Sequence, residues 1–187
     1  MTSISIQWRT ALWQPNGSTY NFPQKLTPEF RERYAVPAVY RWRVMRNQTR
    51  WPDELREKIY IGEAEELTRR MQWVLTPFRA AKRSDTSKRL NEIFTKLAAE
   101  GRAIVIEVAD VDPFEINGIR FDKRDLGDRF KRRLLEAFLC VEAENSPNVE
   151  LLNSRIEPLD RDREALLRMT PHQVRETVER YGLRKKS

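Results

Sequence analysis

Tyr40, Tyr60, Arg70 and Glu136 are residue types that could share one piece of chemistry. A guanidinium stays charged and can bridge two anionic oxygens at once. A carboxylate can hold a hard cation such as Mg²⁺, which keeps most of its own waters. A phenol titrates near about 10, so roughly one in a thousand is ionised at neutral pH. Nearby positive charge must pull that value down before the phenol can take a proton. Other chemistries lack their residues. The single histidine, His172, excludes a histidine-rich metal site, and the single cysteine, Cys140, excludes an intrachain disulfide. Each candidate also has an ordinary reading. Tyrosines on strands usually pack in the core. Arg70 borders an apolar helix face, and Glu136 lies four residues after Arg132, where an i,i+4 ion pair is the default. Cys140 reads as a small buried filler.

The elements that must position these groups follow from pattern and punctuation. Ser3–Leu12 alternates loosely and is expected to be a strand. Thr27-Pro28-Glu29 opens a short helix, with Thr as N-cap and Pro in the first turn. Residues 37–45 read as a strand, with Val39, Arg41 and Arg43 on one face and Tyr40, Trp42 and Val44 on the other. A polar loop over 46–56 leads to a second strand at 58–62. Residues 64–75 show helical spacing through Leu67, Met71, Val74 and Leu75, and 84–100 through Leu90, Ile93, Phe94 and Leu97. Gly101 caps the second helix. Ala103–Ala109 is a strand, and Asn117-Gly118 suggests a hairpin turn or a kinked extension. A long helix is expected over 123–144, with Phe130, Leu134, Leu135, Phe138 and Val141 inward and Pro147 stopping it. A last helix opens at Thr170-Pro171. The order predicts an α+β fold, a small central mixed sheet flanked by helices, with N- and C-terminal extensions.

Tyr40 ends the triplet Ala38-Val39-Tyr40, and Tyr60 begins Tyr60-Ile61-Gly62. Arg70 stands eight residues after Gly62, with Leu67 three before it, and Lys58 stands two before Tyr60. Glu136 lies on the long helix, and Asn148 follows it by twelve residues, directly after Pro147. In these features the chain resembles the GIY-YIG nucleases over roughly residues 35–155. The second triplet matches fully, whereas the first keeps only the tyrosine and a β-branched residue before it. The resemblance implies an Mg²⁺-dependent DNA endonuclease, with Mn²⁺ able to substitute. It makes Tyr40, Tyr60, Arg70, Glu136, Lys58 and Asn148 the catalytic set and Glu136 the metal ligand. Tyr40 would be the water activator, its pKa lowered by Lys58, Arg70 and the metal. It divides the chain into an extension (1–34), the nuclease-like domain (35–155) and a C-terminal helical extension (156–187). Two departures count. Val74 stands where the family often has a histidine, which leaves the general base open. The spacer between the tyrosines is long, as in the restriction-enzyme branch. Asn153 is a second candidate for the asparagine role. A catalytically impaired nucleic-acid-binding or interaction domain is the alternative.

The charge agrees with a polyanionic partner. The chain of 187 residues carries +7, and residues 1–50 hold eight Lys or Arg against two acids. Arg41, Arg43, Arg46, Arg50, Trp51, Lys82 and Arg83 are the expected DNA contacts. Glu63, Glu65 and Glu66 put acid beside the site, which weakens phosphate binding unless they point away. No run approaches the ~18 apolar residues of a membrane span. The start of the chain lacks signal-peptide features, so a cytoplasmic setting is expected. A homodimer would suit cutting both strands.

Overall fold

In the computed structural model the described residues are 6–12, 26–45, 57–75, 85–116 and 119–153. They form β1 (Gln7–Leu12), α1 (Pro28–Arg33), β2 (Ala38–Met45), β3 (Glu57–Ala64), α2 (Leu67–Leu75), α3 (Asp85–Ala99), β4 (Ala103–Asp110), β5 (Phe114–Ile116), β6 (Ile119–Phe121), a 3-10 helix (Lys123–Gly127), α4 (Arg129–Glu144) and β7 (Val149–Leu151). The fold is α+β. A mixed five-stranded sheet runs β1-β4-β2-β3-β7, and β5 and β6 form a separate hairpin. Only β7 is parallel to its neighbour, β3. β1 pairs with β4, so residues before position 35 build the same sheet as those after it.

Strand alternation splits the core in two. Tyr40, Trp42, Val44 and Tyr60 face α2 and α3, together with Leu67 and Phe94. Val39, Ile59 and Ile61 face α4, together with Leu134, Leu135 and Leu139. The facing expected for β2 is the one observed. Trp42 and Phe94 are fully buried against one another, ring centroids 4.9 Å apart. Thr27 Oγ1 accepts from the Phe30 backbone N–H at 3.1 Å, and Phe30 drops into the core. Gly101 adopts φ +79°, the left-handed cap its position called for.

Two expectations are corrected. The helix expected over 123–144 is broken. Asp122 caps the 3-10 helix, and Asp128 then caps α4, its side chain accepting from the Lys131 N–H at 3.0 Å. Two aspartates that each satisfy a helix start, with Gly127 between them, win over a continuous helix. The inward face of α4 also differs: Ala137, Leu139, Cys140 and Ala143 are buried, whereas Phe130 and Phe138 pack at the margin. β7 was not expected. The 46–56 loop, the Asn117-Gly118 turn and the Thr170 helix lie outside the described residues. No helix among the described residues is long and apolar enough to cross a membrane.

Phe94→Ala leaves a cavity beside Trp42 that a rigid sheet cannot collapse around. We expect a loss of about 3–5 kcal/mol in urea unfolding, with the denaturant slope unchanged.

Candidate functional site

The site begins with a cross-strand pair. Tyr40 stands directly opposite Gly62, and Tyr60 opposite Trp42, so the phenols are diagonal neighbours on one face. Their ring centroids lie 6.4 Å apart. The Tyr40 ring folds over Gly62. A methyl on Gly62 would sit 2.7 Å from the Tyr40 hydroxyl oxygen and 2.8 Å from Cζ. Glycine is required here by the close approach of the phenol.

α2 brings Arg70 to the pair. Its first N–H groups bond backward, Leu67 to the Val36 carbonyl and Thr68 to the Tyr34 carbonyl, both at 3.1 Å. Its far end is held by Asn91 Nδ2, which donates to the Val74 carbonyl at 2.7 Å. Between these anchors Arg70 Nε donates to the Tyr40 hydroxyl at 3.1 Å, and a second guanidinium nitrogen donates to Ser87 Oγ at 2.9 Å. Ser87 is fully buried in the first turn of α3. Arg70 is half-buried and forms no ion pair with a carboxylate among the described residues. Tyr40, then Tyr60, reinforces its charge against the cost of burial.

Glu136 comes from α4, on the opposite face of the sheet. It is half-buried, and its charge acts on the Tyr40 phenol, as does that of Glu63. The net effect on Tyr40 reverses the expected direction. Burial pushes its pKa above the ordinary value, Arg70 pulls it down, and Glu136 and Glu63 push it up again. Tyr40 therefore keeps its proton at neutral pH. Since its oxygen accepts from Arg70, that proton is available for donation.

Other expected members are placed elsewhere. Lys58 shares the Tyr60 face but pairs with Glu150 directly across on β7, at 2.9 Å. Asn148 is exposed, and its carbonyl accepts from the Glu57 N–H at 2.9 Å, at the other end of β3, roughly 17 Å along the strand from Gly62. Asn153 is the buried asparagine. Its amide brackets Ile61, Oδ1 accepting from the N–H at 2.9 Å and Nδ2 donating to the carbonyl at 2.6 Å. It satisfies the edge of β3 just beyond the last residue of β7, next to Gly62. Val74 is fully buried and widens the apolar face of α2. Arg41 and Arg43 lie on the α4 side of the sheet, both paired with Glu107; Arg43 also pairs with Glu57, and Arg41 stacks over Trp8. Arg46, Arg50, Trp51, Lys82 and Arg83 lie outside the described residues. Of the acids after Gly62, Glu65 is exposed and pairs with Arg69, and Glu63 is held by Arg132 at 2.9 Å.

Sequence reasoning missed Ser87 and the Glu63–Arg132 pair. Nothing local marks either one. Ser87 is a polar residue near a helix start, and the default partner of Arg132 was Glu136. Compared with protein families, curated proteins and solved structures, the chain finds no match.

Gly62→Ala is expected to displace the Tyr40 hydroxyl and lower stability by about 1–3 kcal/mol, as overpacking does, read by urea unfolding. Tyr40 also gives a pH signature. The folded phenol holds its proton to higher pH than the unfolded one. Its contribution to stability is thus fully present below about pH 10 and is lost as pH rises through the folded value. Absorbance titration at alkaline pH should show a late-ionising phenol that Tyr40→Phe removes. A late step that survives Tyr40→Phe reassigns the shift.

Proposed function

We propose that the chain is a metal-dependent endonuclease that hydrolyses DNA phosphodiester bonds with Tyr40, Tyr60, Arg70 and Glu136. One observation carries the reading. Arg70 is a half-buried cation whose described partners are all uncharged: a phenol and a serine hydroxyl, with the second phenol alongside. Many other arginines here rest against a carboxylate, among them Arg41, Arg43, Arg69 and Arg132. A fixed cation with neutral neighbours favours an incoming anion, and its planar fork suits two phosphate oxygens.

The residues fit a hard cation better than a soft one. No group of three or more His, Cys, Asp or Glu side chains able to hold a metal occurs among the described residues. A lone carboxylate, Glu136, suits an ion that keeps most of its waters. Bound at Glu136, Mg²⁺ or Mn²⁺ would supply positive charge to offset that of the phosphate and would make bound water more acidic. The rest falls to the protein. Arg70 would stabilise charge gathering on the phosphoryl oxygens, in an orientation already set by Tyr40 and Ser87. Tyr40, protonated and wholly buried, would act through Arg70, holding the guanidinium in place. Tyr60 would keep the guanidinium in plane. DNA is the proposed partner, a homodimer suits double-strand cutting, and the single buried thiol, Cys140, suits a reducing, cytoplasmic setting.

A second reading has its own support. A nucleic-acid-binding domain without catalysis suits Val74 in the core and the retained Tyr40 proton. One assay separates the two. With Mg²⁺ and supercoiled plasmid, the parent should nick, and Arg70→Ala or Glu136→Ala should lose about 10²–10³-fold in rate. Equal nicking by parent and variants, or none by the parent, would sink the nuclease reading. Salt-sensitive binding without nicking would support the second.

A further inference from the structure

Arg132 is one of the most deeply buried charged residues described, 2% exposed. Its Nε donates to Glu63 Oε2 at 2.9 Å, and a terminal nitrogen donates to the Leu126 and Gly127 carbonyls at 2.6 and 3.1 Å. Arg133 adds a longer ion pair to the other Glu63 oxygen, at 3.8 Å. One guanidinium thus ties together β3, the end of the 3-10 helix and the first turn of α4. Glu63 follows Gly62, the residue covered by the Tyr40 ring. Arg132 lies one helical turn before Glu136.

We propose that the Glu63–Arg132 pair is a positioning device that sets α4, and with it Glu136, against the Gly62 end of β3. Its catalytic consequence rests on the nuclease reading, but the geometric claim stands without it. Stability alone does not account for the pair. Two well-packed apolar side chains in place of a buried ion pair often serve a fold equally well or better. What an apolar pair lacks is direction. The three acceptors of Arg132 fix the rotation and height of α4, whereas apolar packing would let the helix slide. The pair commits Arg132 to Glu63 and two backbone carbonyls, where sequence spacing alone points to Glu136, one turn along. Glu63, next to Gly62, is neutralised in place. Residues that orient a metal ligand through others typically change metal affinity by about 10–100-fold when lost.

The test uses the full chain with Glu63 and Arg132 both changed to Leu. A pair that only neutralises charge is replaced by this change with little effect on where α4 sits. If the pair positions α4, the variant folds but Mn²⁺ affinity falls at least tenfold, and kcat for plasmid nicking falls with KM little changed. Spin labels at Gln72→Cys and Glu142→Cys, in a Cys140→Ala background, report the separation of α2 and α4. The expected result is a shifted or broadened distance distribution. An unchanged distribution with unchanged Mn²⁺ affinity overturns the proposal. Should the double variant fail to fold, Arg132→Lys, which keeps the charge but loses the fork, is read in the same way. A parent that neither nicks DNA nor binds Mn²⁺ overturns the nuclease reading instead, and the label distances still decide the positioning claim.

Discussion

A guanidinium held 3.1 Å from a buried phenol, with no carboxylate paired to it among the described residues, is the constraint around which this site is arranged. Three separate elements meet that constraint. β2 supplies the phenol, β3 supplies the glycine that gives the phenol room, and α3 supplies the buried hydroxyl on the other side of the guanidinium. None of these contacts is strong alone. Together they fix a rotamer-rich side chain, and the ordering cost is met in folding, before any ligand arrives. α2 is short, so its start is fastened to the Tyr34 and Val36 carbonyls and its end to Asn91.

The sheet separates two uses of charge. On the α4 side, Arg41 and Arg43 meet Glu107, and Arg132 meets Glu63. These pairs neutralise one another and lock the strands to their neighbours. On the α2/α3 side, Arg70 is cushioned by polar but uncharged groups. Arg41 and Arg70 therefore do opposite work on the two faces, the first neutralised by a carboxylate and the second held among neutral groups. Acid next to Gly62 is compatible with an anion site because strand alternation points Glu63 to the face where Arg132 waits.

Much of the scaffold was legible in the sequence. Period-two alternation placed Tyr40 and Arg41 on opposite faces, and helical spacing found Leu67, Met71 and Val74 on one side of α2. Thr27 and Gly101 announced their caps. What stayed hidden was set by contacts distant in the chain. Asn153 reaches back ninety-two residues to bracket Ile61, and a buried asparagine leaves no local trace. β7 is three residues long, too short to show a period. The split before α4 turned on Asp128 competing for a backbone N–H, a cap that resembles any other surface aspartate in sequence. Of the expected site, Tyr40, Tyr60 and Arg70 meet directly, Glu136 acts through its charge, and Lys58 and Asn148 lie apart.

The depth of the phenols limits what they can do. Tyr40 is wholly buried and Tyr60 nearly so, whereas Arg70 and Glu136 keep some surface. The guanidinium and the carboxylate are therefore the members of this set that meet solvent, one on the α2 side of the sheet and one on the α4 side, with the phenols buried between them. Tyr40 orients Arg70 and holds a proton, and burial above all keeps that proton in place. The charges of Glu136 and Glu63, which come from the other side of the sheet, push in the same direction as burial, and Arg70 opposes them.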